Sequence, residues 1–320
     1  MKYGVARTAN SVNAPVIPFA VDPAEASFGL QSVGQTLRDA DATLVRFAWL
    51  GDQFAIAEWV RETEEAHTAY DRPGHHTLSC YLRGGYRTER EKLPGRYGAP
   101  SYLCALPGEH ESSWWVRGRM HFLHLYFLPD HFTRRAVREL DMEPRELTLA
   151  DRTYFQDERI ASLCQSMLHY DWNDRDDLMR MNEAVHQTMS LLLRSQGVRK
   201  TGTVPKGGLA AATRRHLTDY IDAHLTQALT LGTLADVACL SEYHLARMFR
   251  TSFGLPPHAW IALQRIDRAR TLLCSTVLPV SSIAAECGFA NISHFSHRFK
   301  DALGISPQGY RQIIRPAYLD

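Results

Sequence analysis

Two stretches near the C-terminal end decide the fold: SEYHLARMFRTSFG (Ser241–Gly254) and NISHFSHRFKDALG (Asn291–Gly304). They lie fifty residues apart, and only a histidine, a phenylalanine and a glycine are identical between them. The remaining positions match in kind. Each stretch begins with a residue that caps helices, places two apolar residues four apart, adds a basic residue and ends at glycine. This template predicts two helices, each with one buried face.

A short apolar segment precedes each copy: TLADVACL (Thr233–Leu240) and SIAAECGF (Ser282–Phe289). Thr233 and Asp236 have the spacing of a capping box, which predicts a helix start at Thr233. A short helix, a tight turn and a second amphipathic helix form a helix-turn-helix. The sequence therefore predicts two such units.

The segment between the two units, HAWIALQRIDRARTLLCS (His258–Ser275), contains good helix formers and no internal glycine or proline. At about 1.5 Å per residue this helix is about 27 Å long. That length approaches the ~34 Å between successive major-groove faces of duplex DNA. We therefore expect the second helix of each unit to enter adjacent grooves of one duplex.

The outward positions of these two helices predict which side chains touch DNA. Side chains near the start of a recognition helix reach base edges, whereas those a turn further on reach phosphate. The base-reading candidates are Glu242, Tyr243, Arg247, Ser293, Ser296 and His297, and the phosphate candidates are Arg250, Arg298 and Lys300. For each candidate, the alternative to a DNA contact is a solvated surface residue. For the two helix-turn-helix units together, the alternative is a generic helical bundle.

The first half of the chain has a different pattern. Short apolar or alternating runs such as TLSCYLRGGY and MHFLHLYFLP are separated by glycine, proline, aspartate and asparagine, which favours five or more β-strands. After Pro129 the apolar spacing becomes helical. A segment rich in glycine and basic residues, Ser195–Gly208, indicates a linker. We predict an α+β protein with domains at residues 1–195 and 209–320, joined by a linker at 196–208.

The region from about Arg214 to Arg315 resembles the DNA-binding domain of AraC/XylS-type transcription regulators. The similarity is carried by IAAECGFANISHFSHRFKDALGISPQGYR (Ile283–Arg311), in which Gly288-Phe289, Phe299-Lys300 and Ser306-Pro307 stand at the family's spacing. The resemblance implies an all-α domain of two helix-turn-helix units joined by a long helix, and transcription control through paired major-groove contacts. Ala246 occupies a position where many relatives carry a longer polar side chain, so no base contact is expected there.

The N-terminal part resembles, more loosely, the cupin-type sensor and dimerisation half of the same family. The stretch GAPSYLCALPGEH followed by MHFLHLYF carries this similarity. It implies a cupin-like β-barrel with trailing helices, a small-molecule effector bound in it, and a homodimer. Activation through RNA polymerase is the outcome that the resemblance favours.

Aromatic side chains alternate through the predicted strands and supply candidates for an effector pocket. The candidates are Trp59, Tyr81, Tyr102 and Trp115, together with Arg83, which is suited to pair with a carboxylate on the ligand. Plain barrel core is the alternative for the aromatic residues, and simple exposure is the alternative for Arg83.

Histidines crowd this half, but RPGHHTL lacks the HxH spacing that puts two ligands on one strand face. In HFLH the spacing of three places His121 and His124 on opposite faces. No nucleophile, P-loop or dinucleotide motif is present. We predict no metal, no cofactor, no catalytic residue and no enzymatic activity; a metal-dependent cupin enzyme fused to a DNA-binding module is the alternative.

Composition sets the remaining bounds. Of the 36 Lys/Arg and 35 Asp/Glu, residues 205–320 hold 12 and 8, a net charge of 12 − 8 = +4, and residues 1–204 hold 24 and 27, a net charge of 24 − 27 = −3. A mildly basic C-terminal region is compatible with double-stranded DNA as the partner. The six cysteines are scattered, and no signal peptide or apolar run of membrane-spanning length is present, so a cytoplasmic protein without membrane contact is expected.

Overall fold

A computed structural model describes residues 30–50, 54–200, 206–303 and 306–314. The N-terminal half contains helices α1 Leu30–Asp39, α2 Pro129–Glu139, α3 Glu158–Ser166 and α4 Arg175–Gln196. Its strands are β1 Ala42–Leu50, β2 Phe54–Tyr70, β3 His76–Gly84, β4 Glu89–Arg90, β5 Leu103–Leu106, β6 Ser112–Phe127, β7 Leu147–Leu149, β8 Arg152–Phe155 and β9 Gly197–Arg199. The C-terminal region is helical: α5 Ala211–Ala223, α6 Leu231–Ala238, α7 Glu242–Phe253, α8 Pro257–Ser275, α9 Val280–Glu286, α10 Ile292–Leu303 and α11 Pro307–Ile314.

Seven strands form one antiparallel sheet in the order β1-β2-β6-β3-β5-β8, with β4 also paired to β6. The predicted combination of a sheet-rich N-terminal half with a helical C-terminal region is confirmed. In the ranges that the structure describes, β1 and β8 do not pair, so the sheet keeps two ends and does not close into the expected cupin-like barrel.

The sheet is buried on both faces where the start of β2 pairs with the end of β6. Phe54 and Ile56 point to a core shared with α2, α3 and α4, while Ala57 and Trp59 point to a second core on the opposite face. Successive side chains of a strand alternate between faces. Burial of both sets explains why the start of β2 reads as an almost unbroken apolar run.

A β-bulge bends the two longest strands. Between the pairs Thr63↔Gly118 and Ala66↔Val116, β2 advances three residues while β6 advances two. The extra residue inverts the alternation of β2, so Arg61 and Thr68 face the same side although they lie seven residues apart.

The two helix-turn-helix units share the long helix α8. Trp260 and Ile261, near its start, belong to the core of the first unit, formed with α5, α6 and α7. Ala269 and Leu273, near its end, belong to the core of the second unit, formed with α9, α10 and α11. A single straight element therefore fixes the position of one unit relative to the other.

Helix caps agree with the sequence pattern at two of three places. The Ser241 hydroxyl accepts a hydrogen bond from the His244 backbone N–H at 3.3 Å, and the Asn291 side chain accepts one from His294 at 2.7 Å. The capping box predicted at Thr233 is wrong. Helix α6 begins earlier, at Leu231, and the Thr230 hydroxyl accepts from the Thr233 backbone N–H at 3.1 Å.

The predicted linker is partly structured. Its first residues form β9, which pairs with β7 (Leu147↔Arg199 to Leu149↔Gly197). The Arg145 guanidinium donates to the backbone carbonyls of Lys206 and Gly207 at 2.9 and 2.8 Å. Residues 201–205 lie outside the described ranges.

The N-terminal half and the C-terminal region meet at α4. Glu183 on α4 accepts hydrogen bonds from the Arg270 guanidinium (2.9 Å) and the Tyr310 hydroxyl (2.8 Å), which belong to α8 and α11. Arg215 on α5 pairs with Asp141 at 2.6 Å, beside α2. Charged side chains thus join the two parts of the chain, together with apolar contacts of Val137 and Met179.

No helix in the described ranges is both long enough and apolar enough to cross a membrane.

Candidate DNA-binding surface

The second helix of the first unit, α7, has one buried and one exposed face. Leu245 and Phe249 are completely buried, and the Phe249 ring stacks on Phe253 with the ring centroids 3.9 Å apart. The opposite face presents the exposed side chains of Tyr243, Arg247 and Arg250, and Glu242 is exposed at the first position of the helix. Tyr243 is 81% exposed, an unusual position for an aromatic ring that no described neighbour covers.

The corresponding helix of the second unit, α10, repeats this arrangement. Phe295 and Phe299 are buried, with their ring centroids 5.6 Å apart. Ser293, His297, Arg298 and Lys300 are exposed, and Ser296 is half-buried. The His297 Nδ1 atom lies 2.8 Å from the Asp301 carboxylate one turn further on, which orients the imidazole on the helix surface.

Basic side chains dominate the two exposed faces. Arg247 and Arg250 lie on α7, and Arg298 and Lys300 lie on α10. None of these four forms an ion pair with another residue in the part of the chain that the structure describes. Their charges are therefore available to phosphate oxygens or to the acceptor atoms of guanine.

The two units also touch each other directly. The loop between α5 and α6 is held against α8, because the Arg265 guanidinium donates to the backbone carbonyls of Leu225 (3.1 Å) and Gln227 (2.7 Å). The turn between α9 and α10 contains Gly288 at φ +75°, where a Cβ atom would lie 2.2 Å from the Leu225 carbonyl oxygen. Only glycine allows this approach of one unit to the other.

A groove of about 760 Å³ runs over this contact, with α8 at its base. Its walls are residues 226–229 of the first unit and the α9–α10 turn of the second, with His294 and Arg298 at its edge. The second unit thus contributes a phosphate candidate to the groove that separates the units.

One of the five effector candidates lines a cavity in the N-terminal half. Tyr81 lines the cavity, and Trp59 is buried in the apolar cluster around it, where its indole N–H donates to the Tyr126 hydroxyl at 3.3 Å. Trp115 packs against His67 instead, with a ring distance of 4.8 Å. Tyr102 is half-buried outside the lining, and Arg83 is exposed.

Arg61 lines this cavity, although it is not among the residues that the sequence predicts there. Arg61 is 2% exposed. The sequence contains an indication of this position, because Trp59 and Arg61 in EWVRE are two residues apart and therefore share a strand face. An arginine beside a tryptophan on an inward face is rarely buried without a reason.

The histidines of the N-terminal half contact different partners at different positions. His121 lies 2.6 Å from Glu58, whereas His124, on the opposite face as predicted, lies 3.0 Å from the Tyr126 hydroxyl. His76 accepts from the Gly108 backbone N–H at 2.9 Å. Within the described ranges, no group of three or more His, Cys, Asp or Glu side chains is placed to hold a metal ion.

Comparison with known proteins assigns the C-terminal region. Residues 234–313 match the model of a helix-turn-helix domain family. Regulatory protein PocR of Salmonella typhimurium is 39% identical over 95 residues, 30% of this chain and 31% of PocR. The arabinose operon regulatory protein of Escherichia coli is 33% identical over 98 residues, 30% of this chain and 34% of that protein.

A solved structure is similar over the same region. The C-terminal domain of AraT, a response regulator from Geobacillus stearothermophilus, shares 34% identity, covers 35% of this chain and 93% of that chain, and has a TM-score of 0.33. The match thus spans about a third of the length of the curated relatives. The C-terminal third of this chain thus contains a helix-turn-helix domain that is similar to the corresponding part of AraC/XylS-type transcription regulators, as its motifs predicted.

Proposed function

We propose that this protein is a sequence-specific regulator of transcription that binds double-stranded DNA with both helix-turn-helix units. The observation that carries the proposal is the sharing of α8 by two cores, each of which presents a helix with an exposed, mainly basic face. Two recognition helices at a fixed separation are what a protein needs to read two groove segments of one duplex.

We assign sequence reading to the first two turns of α7 and α10. Arg247 is suited to donate two hydrogen bonds to a guanine, and Tyr243 is suited to lie on a sugar or a thymine methyl group. Glu242, Ser293, Ser296 and His297 complete the base-reading set. Arg250, Arg298 and Lys300 neutralise phosphates, which adds affinity without sequence information.

The N-terminal domain, residues 1–195 with its open seven-stranded sheet, is in this proposal the regulatory part, joined by the linker 196–208 to the DNA-binding domain 209–320. A small-molecule effector binds there and shifts the protein between two states, for which its affinity must differ. The cavity lined by Tyr81 and Arg61 and the contacts of Glu183 with Arg270 and Tyr310 support this division of roles. The protein acts as a cytoplasmic homodimer that activates transcription through RNA polymerase and catalyses no reaction.

The test begins with the purified full-length protein, which is used to select bound fragments from genomic DNA. Affinities for a selected fragment and for random DNA are then compared in the wild type, Arg247→Ala and Lys300→Ala. Arg247→Ala should weaken binding to the selected fragment by about 1–3 kcal/mol and relax its sequence preference. Lys300→Ala should weaken both DNAs alike and reduce the slope of log K against log salt by about one.

Arg87→Ala is the matched control, because Arg87 is an exposed arginine of the N-terminal half. It should leave both affinities unchanged. Equal effects of Arg247→Ala and Lys300→Ala on selected and random DNA would contradict the assigned roles, and enrichment of no fragment would contradict the proposed function.

A further inference from the structure

Arg61 is a buried cation whose hydrogen-bonding capacity is only partly used. Its Nη1 atom donates to the Thr68 hydroxyl at 2.8 Å, a contact that the β-bulge between the two residues makes possible. Its Nε and Nη2 atoms are buried and have no hydrogen-bond partner among the described residues. Nε–H and Nη2–H lie on the same edge of the planar guanidinium, which is the edge that grips a carboxylate with two parallel hydrogen bonds.

Among the residues that the structure describes, none supplies a counterion for Arg61. The lining combines apolar and aromatic side chains with a few hydroxyl groups, and no carboxylate of a described residue is part of it. Asp41, an exposed residue, acts on Arg61 only by electrostatics beyond ion-pair distance. His124, at the same cavity, is neutral because burial lowers its pKa to about 3. Among the described lining residues, Arg61 is therefore the one positive charge, and the others are neutral.

Such an arrangement is unfavourable in isolation, because a charge removed from water needs an opposite charge and hydrogen bonds in return. Thr68 satisfies one edge of the guanidinium and leaves the carboxylate-binding edge open. A dianion such as phosphate would bring two charges to one cation. A monoanion with a planar head and an apolar tail matches both the open edge and the walls.

We propose that this cavity binds a small organic monocarboxylate, with its two oxygens on Nε and Nη2 of Arg61 and its carbon chain against Trp114, Met120 and Phe122. The cavity volume is about 50 Å³, room for roughly four water-sized groups, so the ligand has only a few carbon atoms unless the walls move. The inference rests on the proposed function, since it names the chemical class of the effector.

The test measures binding to the full-length protein by isothermal titration calorimetry and by the shift of its melting temperature. The probes are acetate, propionate, butyrate and benzoate, each compared with its uncharged amide, and inorganic phosphate. We expect at least one carboxylate to bind and its amide to bind at least tenfold more weakly. If no carboxylate binds at 10 mM, or if amide or phosphate binds as well as the acid, the proposal is wrong.

Variants then locate the site. Arg61→Gln should weaken binding of the carboxylate by roughly 10- to 150-fold, the range that loss of hydrogen bonds to a charged group produces. Arg61→Lys keeps the positive charge but lacks the planar guanidinium group. Its affinity for the carboxylate should lie between those of the wild type and Arg61→Gln. Arg119→Gln, at an exposed arginine of β6, the strand that pairs with β2, is the control and should bind like the wild type. Unchanged binding in Arg61→Gln overturns the assignment, and the acid–amide comparison in the wild type decides the ligand class even where a variant does not fold.

A DNA-binding assay with and without the carboxylate separates the two proposals. Arg61-dependent carboxylate binding in a protein that selects no DNA leaves this site standing and refutes the regulator function. Selective DNA binding in a protein that binds no carboxylate supports the regulator function and refutes the carboxylate site.

Discussion

Replacement of Glu183 by glutamine should weaken the contact between the N-terminal half and the DNA-binding domain. One oxygen of Glu183 accepts from both Arg270 (2.9 Å) and Tyr310 (2.8 Å), and Arg270 is only 6% exposed. Hydrogen bonds to a charged group contribute about 1.5–3 kcal/mol. Glutamine keeps a neutral acceptor oxygen, and the Glu183 side chain is 26% exposed. We therefore expect the free energy of unfolding to fall by about 1–3 kcal/mol.

The assay is urea denaturation followed by circular dichroism and by tryptophan fluorescence, within a double-mutant cycle that includes Tyr310→Phe. Because both changes remove parts of one hydrogen-bonded group, their effects should differ from additivity by about 0.5–3 kcal/mol. Glu62→Gln, at an exposed position of β2, is the control and should stay within about 0.5 kcal/mol of the wild type. Additive effects, or an unchanged stability of Glu183→Gln, would refute the role of Glu183 in joining the two parts.

Glu183 should also affect how the free energy of unfolding depends on pH. Burial by itself raises the pKa of Glu183, but the Arg270 charge and the hydrogen bonds from Tyr310 and Arg270 outweigh it, so the pKa lies below its usual value. A lowered pKa means that the stabilisation is present above the pKa of the unfolded state and is lost as pH falls through the folded one. Glu183→Gln should therefore lose stability more gradually than the wild type below about pH 4.5; parallel curves would contradict this reasoning.

Three further predictions concern other parts of the molecule. Phe299→Ala should destabilise by about 3–5 kcal/mol in urea denaturation, because the ring is fully buried between Phe295 and Tyr310; a loss below 1 kcal/mol would argue against that packing. Gly288→Ala should lower the free energy of unfolding by more than about 1 kcal/mol, since its φ is positive and a Cβ would meet the first unit; a neutral outcome would show that the two units do not touch there. Burial lowers the pKa of His124 to about 3, whereas a histidine of the unfolded chain has a pKa of about 6.5. Between these two pH values His124 should lower the free energy of unfolding by about 1.4 kcal/mol per pH unit toward acid, in addition to the contributions of the buried His75 and His76. His124→Gln should remove its own contribution, and an unaltered slope would contradict the reasoning.

The C-terminal domain could be predicted closely because its signals are local. The apolar pair and cap of each second helix, such as Ser241 with Leu245 and Phe249, specify where the helix begins and which face is buried. The start of α6 was predicted at Thr233 and lies at Leu231, because Thr230 supplies a competing cap three residues earlier. When two cap motifs overlap in the sequence, their spacing alone does not predict which of them begins the helix.

The N-terminal half could be predicted less well because its arrangement depends on long-range pairing. The alternating runs indicate strands, but nothing local states that β6 lies between β2 and β3 or that one extra residue follows Thr63. That bulge brings Thr68 to Arg61 and so builds the cavity. A second register shift follows Tyr81, and the side chain of Arg83, the charged effector candidate, is exposed; the alternation of the sequence does not predict such a shift.

The central claim, that one chain reads two groove segments through units fixed by α8, is tested most directly by methylation interference on a selected DNA fragment. Methylation of guanine N7 blocks contacts in the major groove. The account predicts two clusters of interfering guanines on one face of the duplex, about 10 base pairs apart. A single cluster would contradict it, as would two clusters on opposite faces of the DNA.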